Sequence, residues 1–130
     1  MNPTNIETAD AYVGCLGLDF GTTNSVAAIV KPDGSVRTAQ FSNQGTTEPV
    51  CRSVMSFFKS EGVSSVEVGP WAMERYLADP SDCRFLQSFK TFAASPSFHS
   101  TIIHGRSWRY EDLMAAFLER MLANCEPVLT

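Results

Sequence analysis

The chain has 130 residues, a formal net charge of −4, 44% hydrophobic and 18% charged residues. That is the balance of one ordinary packed domain, long enough to bury a core of useful size. It argues against a disordered segment, against nucleic acid or an anionic membrane as main partner, and, with no apolar run long enough, against a membrane span.

Met1 to Val13 mixes Asn, Thr, Pro and Asp without periodicity, which predicts a flexible leader over residues 1–13. Met1 to Tyr12 is polar and mildly acidic and lacks the basic and apolar segments of a secretory signal, so the expected compartment is the cytoplasm. Two apolar runs follow, Gly14 to Phe20 and Ser25 to Val30, separated by a bend that begins at Gly21. Short apolar runs about a glycine turn predict a β-hairpin. At the bend, Gly21 permits close approach of a ligand to the backbone. Successive N–H groups of Thr22, Thr23 and Asn24, with two threonine hydroxyls, form a concavity suited to anionic oxygens. Asp19, just before it, would repel a bare phosphate. A hard cation between them resolves the conflict, and Mg²⁺, which keeps most of its waters and joins one or two carboxylates to substrate phosphates, is the expected metal. The plain alternative is a polar hairpin turn without a ligand.

Lys31 to Ser35 contains Pro32, Asp33 and Gly34 and predicts a second turn. Val36 to Phe41 is then a third strand, and Ser42 to Val50, rich in Asn, Gly, Thr and Glu, a loop. Val54 to Phe58 and Val66 to Val68 read as strands about a turn over Ser60 to Ser65. Gly69 and Pro70 open a helix that Asp79 and Pro80 close, with Met73, Tyr76 and Leu77 on one side. Its Trp71 and Tyr76 are expected to pack rather than to stack on a base. A second helix is predicted from Cys83 to Ala94, because Phe85, Phe89, Phe92 and Ala93 fall at i, i+4, i+7 and i+8. Lys90 lies beside that stripe, and on spacing alone it is a surface lysine whose stem snorkels.

Ser95 to Arg109, with Pro96, then Thr101 to Ile103, then Trp108 and Arg109, predicts a hairpin turning at His104 to Ser107. The last helix, Glu111 to about Cys125, is the most periodic segment, with Met114, Phe117, Leu118, Met121, Leu122 and Cys125 in one stripe. Glu111 and Asp112 suit its first turn, and Pro127 ends it. Cys15, Cys51, Cys83 and Cys125 form no Cys-x-x-Cys pair and are expected as reduced, mostly buried thiols. No zinc site is expected from them with His99 and His104.

The string Leu16-Gly17-Leu18-Asp19-Phe20-Gly21-Thr22-Thr23-Asn24-Ser25 closely resembles the first phosphate-binding loop of the DnaK-type heat-shock chaperones, within the actin, sugar-kinase and chaperone ATPase superfamily. Two further strings agree. Val68-Gly69-Pro70-Trp71-Ala72 is similar to the family's Val-Gly-x-x-Ala, and Phe85 to Phe92 to its segment ending in Lys-Arg-Leu, with Lys90 as the counterpart of the cleft lysine. Cys51-Arg52-Ser53 stands where the family has Thr-Pro-Ser, and the interval from Lys90 to Gly105 is shorter than in typical members. A divergent, bacterial YegD-like branch is the nearest description.

The resemblance implies an α/β fold: the opening part of a ribonuclease-H-like, actin-like ATPase half-domain, an antiparallel β-meander with packed helices. Large-lobe strands would span residues 14–50, a small inserted α+β lobe about 51–109, and a large-lobe helix 110–126. It implies ATP or ADP with Mg²⁺ as cofactors. Asp19 would hold the metal through water, Gly21, Thr22, Thr23 and Asn24 the phosphates, and Lys90, catalytic with Asp19, the attacking water. The family's second phosphate loop, adenosine motif and peptide-binding domain have no counterpart in these residues. The expectation is therefore an N-terminal fragment of a chaperone, inactive alone, whose unfolded or peptide clients and co-chaperones would engage through further parts. Two other functions share the opening motif: a sugar kinase of the same superfamily and a non-enzymatic scaffold of this fold. The kinases commonly place Ser and a nearby Arg after the threonines, where this chain has Asn24, Ser25 and Val26.

Overall fold

In the computed structural model, which describes residues 14–129, the pairings between strands are all antiparallel. The architecture is mixed α/β, rich in sheet and with few helices. The leader expected over residues 1–13 lies outside the described residues. β1 (Cys15–Phe20) pairs with β2 (Asn24–Val30) in a register running from Cys15 opposite Val30 to Phe20 opposite Ser25. β3 (Val36–Thr38) continues the meander beyond β2. The third strand is shorter than its sequence predicts. Ala39 still donates its N–H to the Ala27 carbonyl at 2.8 Å, but Gln40 turns to pair with Glu126.

Phe41, buried in the core, then begins a separate hairpin. Its strands are β4 (Phe41–Asn43) and β5 (Thr46–Glu48), so 42–50 is not the loop its composition predicts. Gln44 and Gly45 take φ of 51° and 80°, the two-residue turn geometry whose twist matches paired strands. A two-residue strand, β6 (Cys51–Arg52), returns to β2 beside Asn24 and Ser25.

The chain passes to a second sheet at once. β7 (Val54–Ser60) is its centre, flanked by β8 (Val63–Val68) and β9 (Cys83–Gln87). α1 (Gly69–Ala78) packs across β7, and the buried Ser56 hydroxyl donates to the Ala72 carbonyl at 2.6 Å. Leu77, expected on the packed side, is exposed. The contact runs instead through Gly69 and Ala72, with Tyr76 stacked on Phe85 at 4.7 Å between centroids. Trp71 packs against the core.

The helix predicted over 83–94 does not form. β9 fills 83–87, Ser88 adopts the left-handed conformation (φ 55°, ψ 26°), and a 3₁₀ turn covers Phe89–Ala94. Five residues of β9 complete β7's second edge, from Val54 opposite Gln87 to Phe58 opposite Cys83. Those ladder bonds are non-local, and no window of sequence holding only 83–94 contains them.

β10 (Thr101–Ile103) and β11 (Arg106–Trp108) form the expected hairpin, turning on His104 and Gly105 with φ of 51° and 79°. α2 (Tyr110–Asn124) follows, its first turn capped by Asp112, whose carboxylate accepts the Arg109 N–H at 2.9 Å. Its buried stripe is Leu113, Phe117, Met121 and Leu122, with Met114 and Leu118 only half-buried. Arg120 and Asn124 both reach Glu67 on β8, at 2.6 and 3.0 Å, tying α2 to the second sheet. Among the described residues, no helix is long and apolar enough to cross a membrane.

Candidate functional site

The bend between β1 and β2 is a two-residue turn, Thr22 and Thr23, closed by the Gly21 N–H donating to the Asn24 carbonyl at 3.1 Å. Glycine is required there sterically: a Cβ on residue 21 would collide with that carbonyl oxygen. Thr22, Thr23, Asn24 and the neighbouring Asp19 are exposed, so the bend opens to solvent. The four residues read as phosphate ligands, Gly21 to Asn24, are thus contiguous at an open turn beside Asp19.

Lys90 reaches the same place from 70 positions away. Its ammonium donates to the Phe20 carbonyl at 2.6 Å and lies 5.6 Å from the Phe20 ring centroid. Packing explains the reach. Phe89 is buried, its ring 5.6 Å from Phe20 and 5.6 Å from Phe117, while Phe20 and Phe117 are 5.5 Å apart. Anchoring Phe89 in this cluster leaves the next residue of the 3₁₀ turn at the rim of the bend. Among the described residues Lys90 forms no ion pair. Its charge is answered by a carbonyl and a ring face, not by a carboxylate.

Two residues outside the candidate set complete the geometry. Ser53, the one residue between β6 and β7, donates its N–H to the Thr23 carbonyl at 2.8 Å and its hydroxyl to the Gly21 carbonyl at 2.7 Å. The Ser25 hydroxyl lies 2.9 Å from that of Ser53, and both side chains are buried. Since each hydroxyl has one hydrogen and that of Ser53 is committed to Gly21, Ser25 is the donor in the pair. The visible sequence signal was a serine placed directly before the apolar run Val54 to Phe58 and another at the start of an apolar strand.

Whether Mg²⁺ fits can be asked of the donors. Among the described residues no three His, Cys, Asp or Glu side chains converge as a cage. Asp19 is exposed two residues before Gly21, and Thr22, Thr23 and Asn24 of the turn are exposed as well. That set suits an ion that keeps its waters and shares a phosphate, and not one that needs a complete protein shell. Close behind, the Cys51 thiol is pushed up to about 12 by burial and then by the neighbouring Cys125. It is no nucleophile at neutral pH. Two grooves lie elsewhere, one lined by Phe58, Val66, Glu67, Arg75 and Arg120, the other by Lys59, Asp82, Cys83, Arg84 and His104. Neither takes in the bend. No protein-family model matches the chain, and comparison with curated proteins and with solved structures returns no match.

Proposed function

We propose that this chain holds the phosphates of a magnesium-bound nucleotide at the bend from Gly21 to Asn24, as the nucleotide-binding part of a DnaK-type chaperone ATPase with a ribonuclease-H-like, actin-like fold. The observation that carries the reading is Lys90: a lysine 70 residues downstream has its ammonium 2.6 Å from the carbonyl that enters the bend. A cation with no carboxylate partner among the described residues, held at the carbonyl just before an exposed glycine-threonine turn, is an arrangement for anionic oxygens.

Gly21 lets phosphate approach the main chain, and Thr22, Thr23 and Asn24 supply amides and hydroxyls to the β- and γ-phosphate oxygens. Magnesium, when bound, would offset phosphate charge, and Asp19 would hold it through water. Lys90 would orient the attacking water and oppose the charge that grows on the transferred phosphoryl oxygens. The binding of unfolded or peptide clients, and of co-chaperones, belongs to the same proposal.

Calorimetric titration with Mg·ATP tests it. Wild-type protein is expected to bind, and Thr23→Ala to bind more weakly by about tenfold, the worth of one hydrogen bond to a charged group. In a protein that carries both phosphate loops of such an ATPase, Lys90→Ala is expected to keep binding nearly unchanged while hydrolysis slows by about a hundredfold, as for loss of a transition-state contact. Absence of Mg·ATP binding by the wild type would overturn the proposal.

A further inference from the structure

The bend is held from beneath by one buried residue. Ser53 contacts it twice, by N–H to the Thr23 carbonyl at 2.8 Å and by hydroxyl to the Gly21 carbonyl at 2.7 Å. The Ser25 hydroxyl, 2.9 Å away, fixes the rotor of Ser53 by donating to it. Both side chains are removed from solvent, at 0% exposure for Ser25 and 2% for Ser53, so water does not compete for the bond between them.

The consequence follows from the planar trans peptide, in which the carbonyl of one residue and the N–H of the next point in opposite directions. The peptide bonds here are trans. Drawing the Gly21 carbonyl down onto Ser53 therefore turns the Thr22 N–H away from Ser53. Holding the Thr23 carbonyl does the same for the Asn24 N–H. A bend without this clamp can rotate a peptide unit and present a carbonyl oxygen to the ligand side, where it repels an anion.

We infer that Ser53, oriented by Ser25, is a positioning residue that fixes the direction of the anion-facing amides of the bend. It touches no ligand itself and acts through the Gly21 and Thr23 carbonyls. This inference rests on the reading of the bend as a phosphate cradle. It also explains why the chain spends a buried hydroxyl at the single residue where it leaves the first sheet for the second.

The test compares Ser53→Ala with Ser56→Ala, a matched deletion of another buried serine hydroxyl that donates to a carbonyl, that of Ala72, in the second sheet. Hydrogen exchange without nucleotide should show the two amides bonded to bend carbonyls, those of Gly21 and of residue 53, exchanging about tenfold faster in Ser53→Ala, the effect of one lost buried hydrogen bond. Ser56→Ala should leave those amides at the wild-type rate even as it lowers overall stability. Mg·ADP affinity should fall by about tenfold in Ser53→Ala and stay unchanged in Ser56→Ala. Equal exchange at the bend in the two variants would overturn the clamp whatever the binding result. Faster exchange with undiminished affinity would also overturn it, because the bend would then be held but its amide direction would not matter. If the wild type binds no Mg·ADP, the cradle reading falls and the ligand role of Ser53 falls with it, an outcome the nucleotide-free exchange distinguishes from failure of the clamp.

Discussion

Gly21 shows how one residue ties sequence to site. Its hydrogen bond to Asn24 closes the turn, and any Cβ would strike the carbonyl that accepts it. Gly21→Ala should cost about 1–3 kcal/mol, as overpacking does in tight surroundings. Urea denaturation would read this, and Mg·ATP binding should weaken in parallel. The cysteines allow a second check. Cys15 is exposed, whereas Cys51 is buried with its thiol pushed up to about 12 and Cys125 is buried with its thiol also raised by desolvation. A thiol-specific disulfide reagent should therefore label Cys15 in the folded protein, and Cys51 and Cys125 only after denaturation. At this scale, the turn was legible because glycine, threonine and asparagine carry their conformational and hydrogen-bonding roles locally. The role of Ser53 was not, because its partners at Gly21 and Thr23 are about thirty positions away and only folding brings them within reach.

Secondary-structure elements divide by whether their determinants are local. α2 was readable, since its apolar period, its acidic first turn and the Pro after it all lie within the segment. Its stripe is centred on Leu113 in place of Met114, a rotation set by the surface it meets. The Asp112 carboxylate is held below its ordinary 3.8 first by the Arg109 N–H and then, against some desolvation, by the Arg109 side chain. A depressed folded value means that the stabilisation is fully present above the unfolded value and is lost as pH falls through the folded one. The stability difference between wild type and Asp112→Ala, measured by thermal denaturation, should thus be largest near neutrality and shrink as the pH falls through the carboxylate's lowered value. The segment 83–94 was misread as a helix because aromatic spacing at i and i+4 fits a helix as well as it fits Phe85 on a strand stacked with Tyr76 and Phe89 in a 3₁₀ turn. Pairing with β7 decided between them.

Across the whole molecule, the cluster of Phe20, Phe89 and Phe117 joins the end of β1, the turn that carries Lys90, and α2. Phe117 is fully buried, so Phe117→Ala should cost about 3–5 kcal/mol, a large share of a typical domain's stability. Circular dichroism melting would show it, and Lys90 should lose its fixed place at the bend as its anchoring ring loosens. The candidacy of Lys90 came from a resemblance of strings, its spacing alone marking a surface lysine. The sequence alone determined the hairpin of Gly14 to Phe20 and Ser25 to Val30, the composition of its turn with Asp19, Gly21, Thr22, Thr23 and Asn24 as candidates, and the helix from Glu111 to about Cys125. Those rest on backbone preferences and on periodicity, which act between near neighbours along the chain. Only the tertiary structure decided that Lys90 bonds the Phe20 carbonyl just before the bend, that Ser53, bonded to Ser25, holds the Gly21 and Thr23 carbonyls, and that 83–87 is a strand. Each of these depends on contacts across tens of residues, whose free energy appears only when separate elements are packed together and water is excluded between them.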